Sequence, residues 1–321
     1  MKRELQFGIC LPTYSCWNMD VLTRTAGLAE SVGFDSVWVS DHFFLPDEAT
    51  SAVGGNLNRK GLVDAWSTLA CIAPMTHKVK LGTCVTNMMM RNPSELARTV
   101  STLDYFSGGR VILGAGAGWL KDEFEAFGFP FEPFRTRMAK MEEGLTVMKQ
   151  LWESDGPVRF SGKYYVLNNA EVNPKPVHGR IPVWLGGSSD TALDVIARLG
   201  DGWMPWCPTK EVLRNGIADI KQKLTRLGRD MEEMSLASCF VTYVRRTQSE
   251  VESGCGEFLR HRADFSAGQK KSMFGTPEQL IDEVSRFAEL GLTHIVFELA
   301  IDVAGMDDTV RLLGQDVIHK I

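Results

Sequence analysis

Short, nearly continuous apolar runs alternate along the chain with longer stretches in which apolar residues recur at helical spacing. Gln6 to Leu11 predicts a strand, Met19 to Val32 a helix stopped at Gly33, and Ser36 to Ser40 a second strand. Asp64 to Pro74 reads as helical, Val79 to Cys84 as a strand, and Pro93 to Phe106 as a helix opened by a proline whose missing N–H costs nothing there. Arg110 to Ala115 is a further buried strand, and Phe134 to Trp152 a long helix with Met141, Leu145, Met148 and Trp152 on one face. Val158 to Val166 reads as a small inserted hairpin around Ser161-Gly162, followed by the proline-rich crossing at Asn173 to Pro176 and a strand from Pro182 to Leu185.

The second half keeps the same order. Helices are expected at Thr191 to Leu199, Lys210 to Leu227, Pro277 to Gly291 and Asp307 to His319, and strands at Trp203-Met204, Ser235 to Tyr243 and His294 to Glu298. Glu250 to Ser272 shows no clear period and is read as an irregular stretch. Eight strand-helix alternations without a linker favour one closed (β/α)₈ barrel, a TIM barrel with insertion segments, spanning residues 1–321 as a single domain. An open α/β sheet with a cap is the alternative. In a barrel the loops after Ser40, Cys84, Ala115, Leu185 and Met204 converge on one face, and the active site is expected there.

Composition narrows the partners. With 44% hydrophobic and 23% charged residues the chain is ordinary for a globular protein, and no apolar run is long enough for a membrane span. The beginning, Met1 to Leu5, passes into Phe7-Gly8-Ile9 without a signal-peptide core, so a cytoplasmic protein is expected. A net charge of −5 with dispersed Lys and Arg gives no case for nucleic acid and favours a small-molecule substrate. The seven cysteines contain no C-x-x-C pair, which argues for reduced thiols rather than disulfides or zinc.

The strand ends carry the candidate chemistry. Asp41 and His42 follow the second strand; His42 could donate or accept a proton and Asp41 could position it, although a capping Asp beside a surface His is the ordinary reading. Thr83-Cys84-Val85-Thr86-Asn87 offers hydroxyl, thiol and amide groups but no strong base, and suits recognition of a heteroaromatic edge better than covalent catalysis. Gly114 to Trp119 lacks the spacing of a dinucleotide fingerprint, but so bare a backbone admits a flat or anionic group. Gly186-Gly187-Ser188-Ser189 precedes a helix and can be a phosphate seat, an ordinary N-cap, or both. Trp203 and Trp206 either wall a pocket or pack in the core.

In order along the chain, F-G-I-C-L-P, G-F-D-S-V-W-V-S-D-H, L-G-T-C-V-T-N, L-D-Y-F-S-G-G-R, G-A-G-A-G-W with E-F-E-A-F-G, N-P-K-P, I-P-V-W-L-G-G and A-R-L-G-D-G-W resemble the bacterial luciferase-like superfamily. The likeness covers nearly the whole chain and is closest to the branch of oxidoreductases using the 5-deazaflavin coenzyme F420. It implies a (β/α)₈ barrel with insertions and a non-prolyl cis peptide at Cys84-Val85 under the ring. It also implies that Asp41 and His42 border ring and substrate, that Thr86 and Asn87 meet the ring edge, that Ala115 and Gly116 wall it, and that Gly186, Gly187 and Ser188 seat the phosphate. His42 would then move a proton beside the carbon that exchanges hydride, oriented by Asp41. Homodimers are usual among similar proteins. An FMN-dependent monooxygenase fed by a separate flavin reductase is the main rival; a non-catalytic flavin binder and a metal-dependent hydrolase are weaker ones.

Overall fold

A computed structural model describes residues 5–13, 18–44, 62–261, 268, 270–300 and 305–321, with backbone only for 255–261. Eight parallel strands form the barrel: β1 (Gln6–Leu11), β2 (Ser36–Val39), β3 (Lys80–Thr83), β5 (Val111–Gly116), β8 (Val183–Leu185), β9 (Gly202–Trp203), β10 (Ser235–Val244) and β12 (His294–Leu299). The pairing of β9 with β10 and of β12 with β1 closes the ring. A two-residue strand β4 (Thr86–Asn87) continues the line of β3 beyond a bulge and pairs with β5. The helices are α1 (Met19–Ser31), α2 (Ala65–Ile72), α3 (Pro93–Ser107), α4 (Lys121–Ala126), α5 (Phe134–Glu153), α6 (Asp190–Leu199), α7 (Lys210–Arg226), α8 (Gln248–His261), α9 (Pro277–Glu289) and α10 (Met306–Asp316). The antiparallel pair β6 (Val158–Ser161) and β7 (Val166–Ala170) is the expected inserted hairpin, with its second strand running further than the sequence suggested.

Both faces of each barrel strand are buried, which is why the strands read as apolar runs rather than as alternations. Phe7, Ile9 and Leu11 of β1 and Val37 and Val39 of β2 point outward into the core beneath the helices. The inward positions form a separate cluster of Cys10, Trp38, Ile112, Trp184, Met204, Ala237, Cys239 and Val296. Trp38 and Trp184 stack in it with ring centroids 5.2 Å apart. They fit because inward glycines face them: a Cβ at Gly82 would lie 2.4 Å from Trp38 Cζ3, and one at Gly202 would lie 2.5 Å from Trp184 Cδ1. The Gly82→Ala variant is therefore expected to lose about 1–3 kcal/mol of stability through overpacking, read as a lower denaturation midpoint.

Local signals set the helix ends. Asn92 caps α3 by accepting from Ser94 and Glu95 N–H, Pro93 follows at its first turn, and Gly108 ends it at φ 72°. At the opposite end of the barrel from the predicted site, buried Arg110 donates to the carbonyls of Ser107, Val79, Ala73 and Thr76 and ties the end of α3 to the connection between α2 and β3.

The stretch expected to be irregular is corrected in its first part. Gln248–His261 is the helix α8, and Met273–Gly275 is a short strand, β11, paired with β10. Two glycines within α8, Gly254 and Gly256, weaken its helical signal. Gly254 is there for packing, since a Cβ would come 2.0 Å from the Tyr243 hydroxyl. The helix α4 was also unread. Positions 262–267 and 269 of the stretch from Glu250 to Ser272 lie outside the described residues, as do positions 45–61. No helix among the described residues is long and apolar enough to cross a membrane.

Candidate active site

At the C-terminal end of β3 the chain turns through the Cys84-Val85 peptide, which is cis. The turn is held from behind. Thr83 Oγ1 donates to the Gly114 carbonyl at 2.8 Å, and Thr86 Oγ1 donates to Thr83 Oγ1 at 2.9 Å. Thr86 is fully buried, so the expected contact of its side chain with a ring edge is corrected: its hydroxyl pins the bulge. The Ala115 side chain is buried in the outer core, so this residue offers only backbone to the mouth. Asn87 is buried, and its Oδ1 accepts from Met89 N–H at 3.1 Å.

What remains accessible is a bare wall. Cys84, Val85, Gly116 and Gly186 are half-buried, and Gly187 and Ser188 are exposed. A Cβ at Gly114 would lie 1.8 Å from the Thr83 carbonyl oxygen, and one at Gly116 would lie 2.8 Å from Val85 Cγ2. Any larger residue there would displace the bulge. Arg137 of α5 steadies the same loop by donating to the carbonyls of Ala117 and Gly118 at 3.1 and 3.3 Å. Beside the wall, Gly187 takes φ 98°, a region that only glycine enters without strain. Its carbonyl accepts from Trp203 Nε1 at 2.7 Å, and Ser189 caps α6 by accepting from Ala192 N–H. The cap and an anion-binding helix start are thus compatible, as the sequence allowed.

Asp41 and His42 are adjacent in sequence but have different partners. Asp41 is buried in a bidentate pair with Arg91, at 2.7 and 3.0 Å, and Arg91 also reaches Asp64 at 2.9 Å. Burial pushes the Asp41 carboxyl up, against the pull of Arg91. Burial likewise weighs on the Arg91 charge, but the two carboxylates outweigh it and raise its pKa. The geometry supports a charged cluster that clamps the end of β2 to the segment before α3. The expectation that Asp41 orients His42 is therefore corrected.

That position belongs to Glu123 in α4. Both of its carboxylate oxygens lie 3.2 Å from His42 Nδ1, and one accepts from the Phe43 N–H at 2.5 Å. Glu123 is only 1% exposed, whereas the His42 side chain is 20% exposed. A buried carboxylate on Nδ1 fixes the ring and leaves Nε2 as the nitrogen for a ligand. The Trp119 ring meets His42 edge-on with centroids 5.9 Å apart and is itself 63% exposed. The sequence motif containing Glu123 was visible, but three acids stand close together in it at Asp122, Glu123 and Glu125. Only the packing of the short helix α4 singles out one of them.

The two candidate tryptophans separate. Trp203 is fully buried in the outer core, where Gly216 of α7 makes room for it. Trp206 is half-buried among the inward residues, and its Nε1 donates to Glu298 Oε2 at 2.6 Å.

The C-terminal end of the parallel (β/α)₈ barrel thus brings together a glycine-bare wall, a helix start and a carboxylate-held histidine. Residues 11–272 match the family described as luciferase-like monooxygenase, and the chain belongs to that family as one of its oxidoreductases. The chain is 26% identical to the 5,10-methylenetetrahydromethanopterin reductase of Methanopyrus kandleri, covering 98% of both proteins. It is 34% identical to the F420-dependent glucose-6-phosphate dehydrogenase of Amycolatopsis mediterranei, but over 57% of this chain and 52% of that one. Among solved structures, an F420-dependent secondary alcohol dehydrogenase in complex with an F420-acetone adduct superposes with a TM-score of 0.82 at 26% identity, covering 98% of both chains.

Proposed function

We propose that the protein transfers a hydride between coenzyme F420 and a small organic substrate. The observation that carries the chemical part of this reading is the His42–Glu123 pair standing at the barrel mouth with the bare wall of Val85 and Gly116. When bound, the deazaflavin supplies a two-electron hydride donor or acceptor at one ring carbon.

The chain's own residues then have distinct tasks. Val85 and Gly116 offer a flat apolar surface that larger side chains would spoil. Asn87 stands at its edge, and Cys84 contributes its backbone rather than a nucleophilic thiol. Gly186, Gly187 and Ser188 with the start of α6 offer N–H and hydroxyl donors to a phosphate. Glu123 holds the His42 ring so that Nε2 can give or take the proton of a substrate hydroxyl. The Asp41–Arg91 cluster keeps the backbone before His42 in place.

Near full-length similarity to a reductase and to an F420-dependent dehydrogenase, each at 26% identity, supports F420, while an FMNH2-dependent dimethylsulfone monooxygenase is similar at 24%. The family description supports the second reading, an FMN-dependent monooxygenase using reduced flavin and oxygen, with a separate reductase as partner. Titration of purified protein with F420 and with FMN, followed by cofactor fluorescence, separates the two. F420 is expected to bind and FMN to give little response; the reverse order would reject the proposal.

A further inference from the structure

The barrel mouth carries a carboxylate that the hydride chemistry does not use. Glu298 lies near the C-terminal end of β12, in register with Cys10 of β1 on one side and Val241 of β10 on the other. Side chains alternate between faces along a strand. Val296 belongs to the inner cluster, so Glu298, two positions on, takes the inward face one layer nearer the mouth. It is half-buried.

Its neighbours fix its orientation. Trp206 Nε1 donates to Oε2 at 2.6 Å, and Cys239 Sγ donates to the same oxygen at 3.7 Å. Cys239 and Cys10 belong to the inner cluster against which Cys84 and Val85 of the bulge pack, so the carboxylate and the bulge meet the same group of side chains. On the other side, Lys270 Nζ lies 5.6 Å from the Trp206 ring centroid. A carboxylate held this way on a rigid strand, next to the wall proposed for the ring, is a fixed hydrogen-bond acceptor.

We propose that Glu298 is a specificity-determining residue that selects substrates bearing a hydroxyl or protonated amine beside the carbon that exchanges hydride. This rests on the hydride-transfer reading of the same site. An ionised carboxylate only accepts, so it favours donors and repels a substrate carboxylate or phosphate. A site that positions one polar group discriminates strongly against partners that cannot answer it.

Four probes sharing a secondary carbinol test this: 2-propanol, 1,2-propanediol, 1-amino-2-propanol and lactate. Their dissociation constants are measured on the cofactor-loaded protein through cofactor fluorescence, for wild type and Glu298→Gln. The glutamine keeps an acceptor for Trp206 and removes the charge. In wild type the amino alcohol and the diol are expected to bind about tenfold more tightly than 2-propanol, with lactate weakest. In Glu298→Gln the amino alcohol is expected to lose its advantage and lactate to gain, while the cofactor itself binds within about twofold of wild type. Equal binding of all four probes, binding of none, or the same ranking in the variant would overturn the proposal. Failure of the protein to bind either cofactor appears in the preceding titration and would instead overturn the reading beneath it.

Discussion

A His42→Ala variant is expected to lose about 10²–10⁴ in kcat, the span associated with a positioned acid or base, while binding cofactor nearly as well as wild type. The reason is local. The His42 ring is fixed through Nδ1 by a carboxylate that is almost wholly buried, and an ordered imidazole at a barrel mouth is suited to proton transfer through its other nitrogen. Glu123→Gln should reduce kcat in the same direction but by less, because the amide oxygen can still accept from Phe43 N–H while the negative charge beside His42 is gone. Since the two residues act as one unit, the double variant should be no slower than His42→Ala alone. Steady-state kcat and KM for the three variants decide this. Unchanged turnover in His42→Ala would remove the histidine from proton transfer, and additive losses would separate Glu123 from it.

Acid is expected to destabilise the fold through a different histidine. His294 is wholly enclosed at the start of β12, next to the stacked Trp38 and Trp184, and its Nε2 shares a 2.8 Å hydrogen bond with Ser36 Oγ. Its Nδ1 is buried without a hydrogen-bond partner among the described residues. Burial disfavours the charged imidazolium and pushes the pKa down from 6.5 to about 3. Between those values the unfolded chain takes up a proton that the folded chain refuses, so stability is fully present above pH 6.5 and falls as the pH drops toward 3. The full difference is about 5 kcal/mol, or about 1.4 kcal/mol per pH unit. Chemical denaturation from pH 7 to pH 4 should show this slope, and His294→Leu should flatten it. An equally steep decline in that variant would assign the acid sensitivity elsewhere.

The architecture was legible because barrel strands announce themselves. Both faces of β1, β2 and β5 are buried, so each appears as an apolar run, and helix starts are marked by Asn18 before α1, Asp64 before α2 and Pro133 before α5. Short elements were less legible. β4, α4 and β11 are too brief for periodicity, and α8 was hidden by two glycines. The wall of the site was also readable, since Gly116, Gly186 and Val85 sit where strand ends lead. Side-chain partnerships were not. Asp41 beside His42 suggested a pair, yet adjacent residues on an extended segment point apart, and each found its partner across the fold: Arg91 for Asp41, Glu123 for His42. The buried Thr86 hydroxyl turned away from the mouth for a related reason, because sequence does not say which face of a two-residue strand turns inward. Glu298 ends the strand read as His294 to Glu298, and its partners Trp206 and Cys239 reach it from elsewhere in the chain.

The most direct test of the account is a crystal structure of the protein with F420. The deazaflavin ring is expected to lie against Val85 and Gly116, with the phosphate at Gly187, Ser188 and the start of α6, and with His42 on the substrate side. A ring bound away from the Val85–Gly116 wall, or a phosphate far from the start of α6, would contradict it.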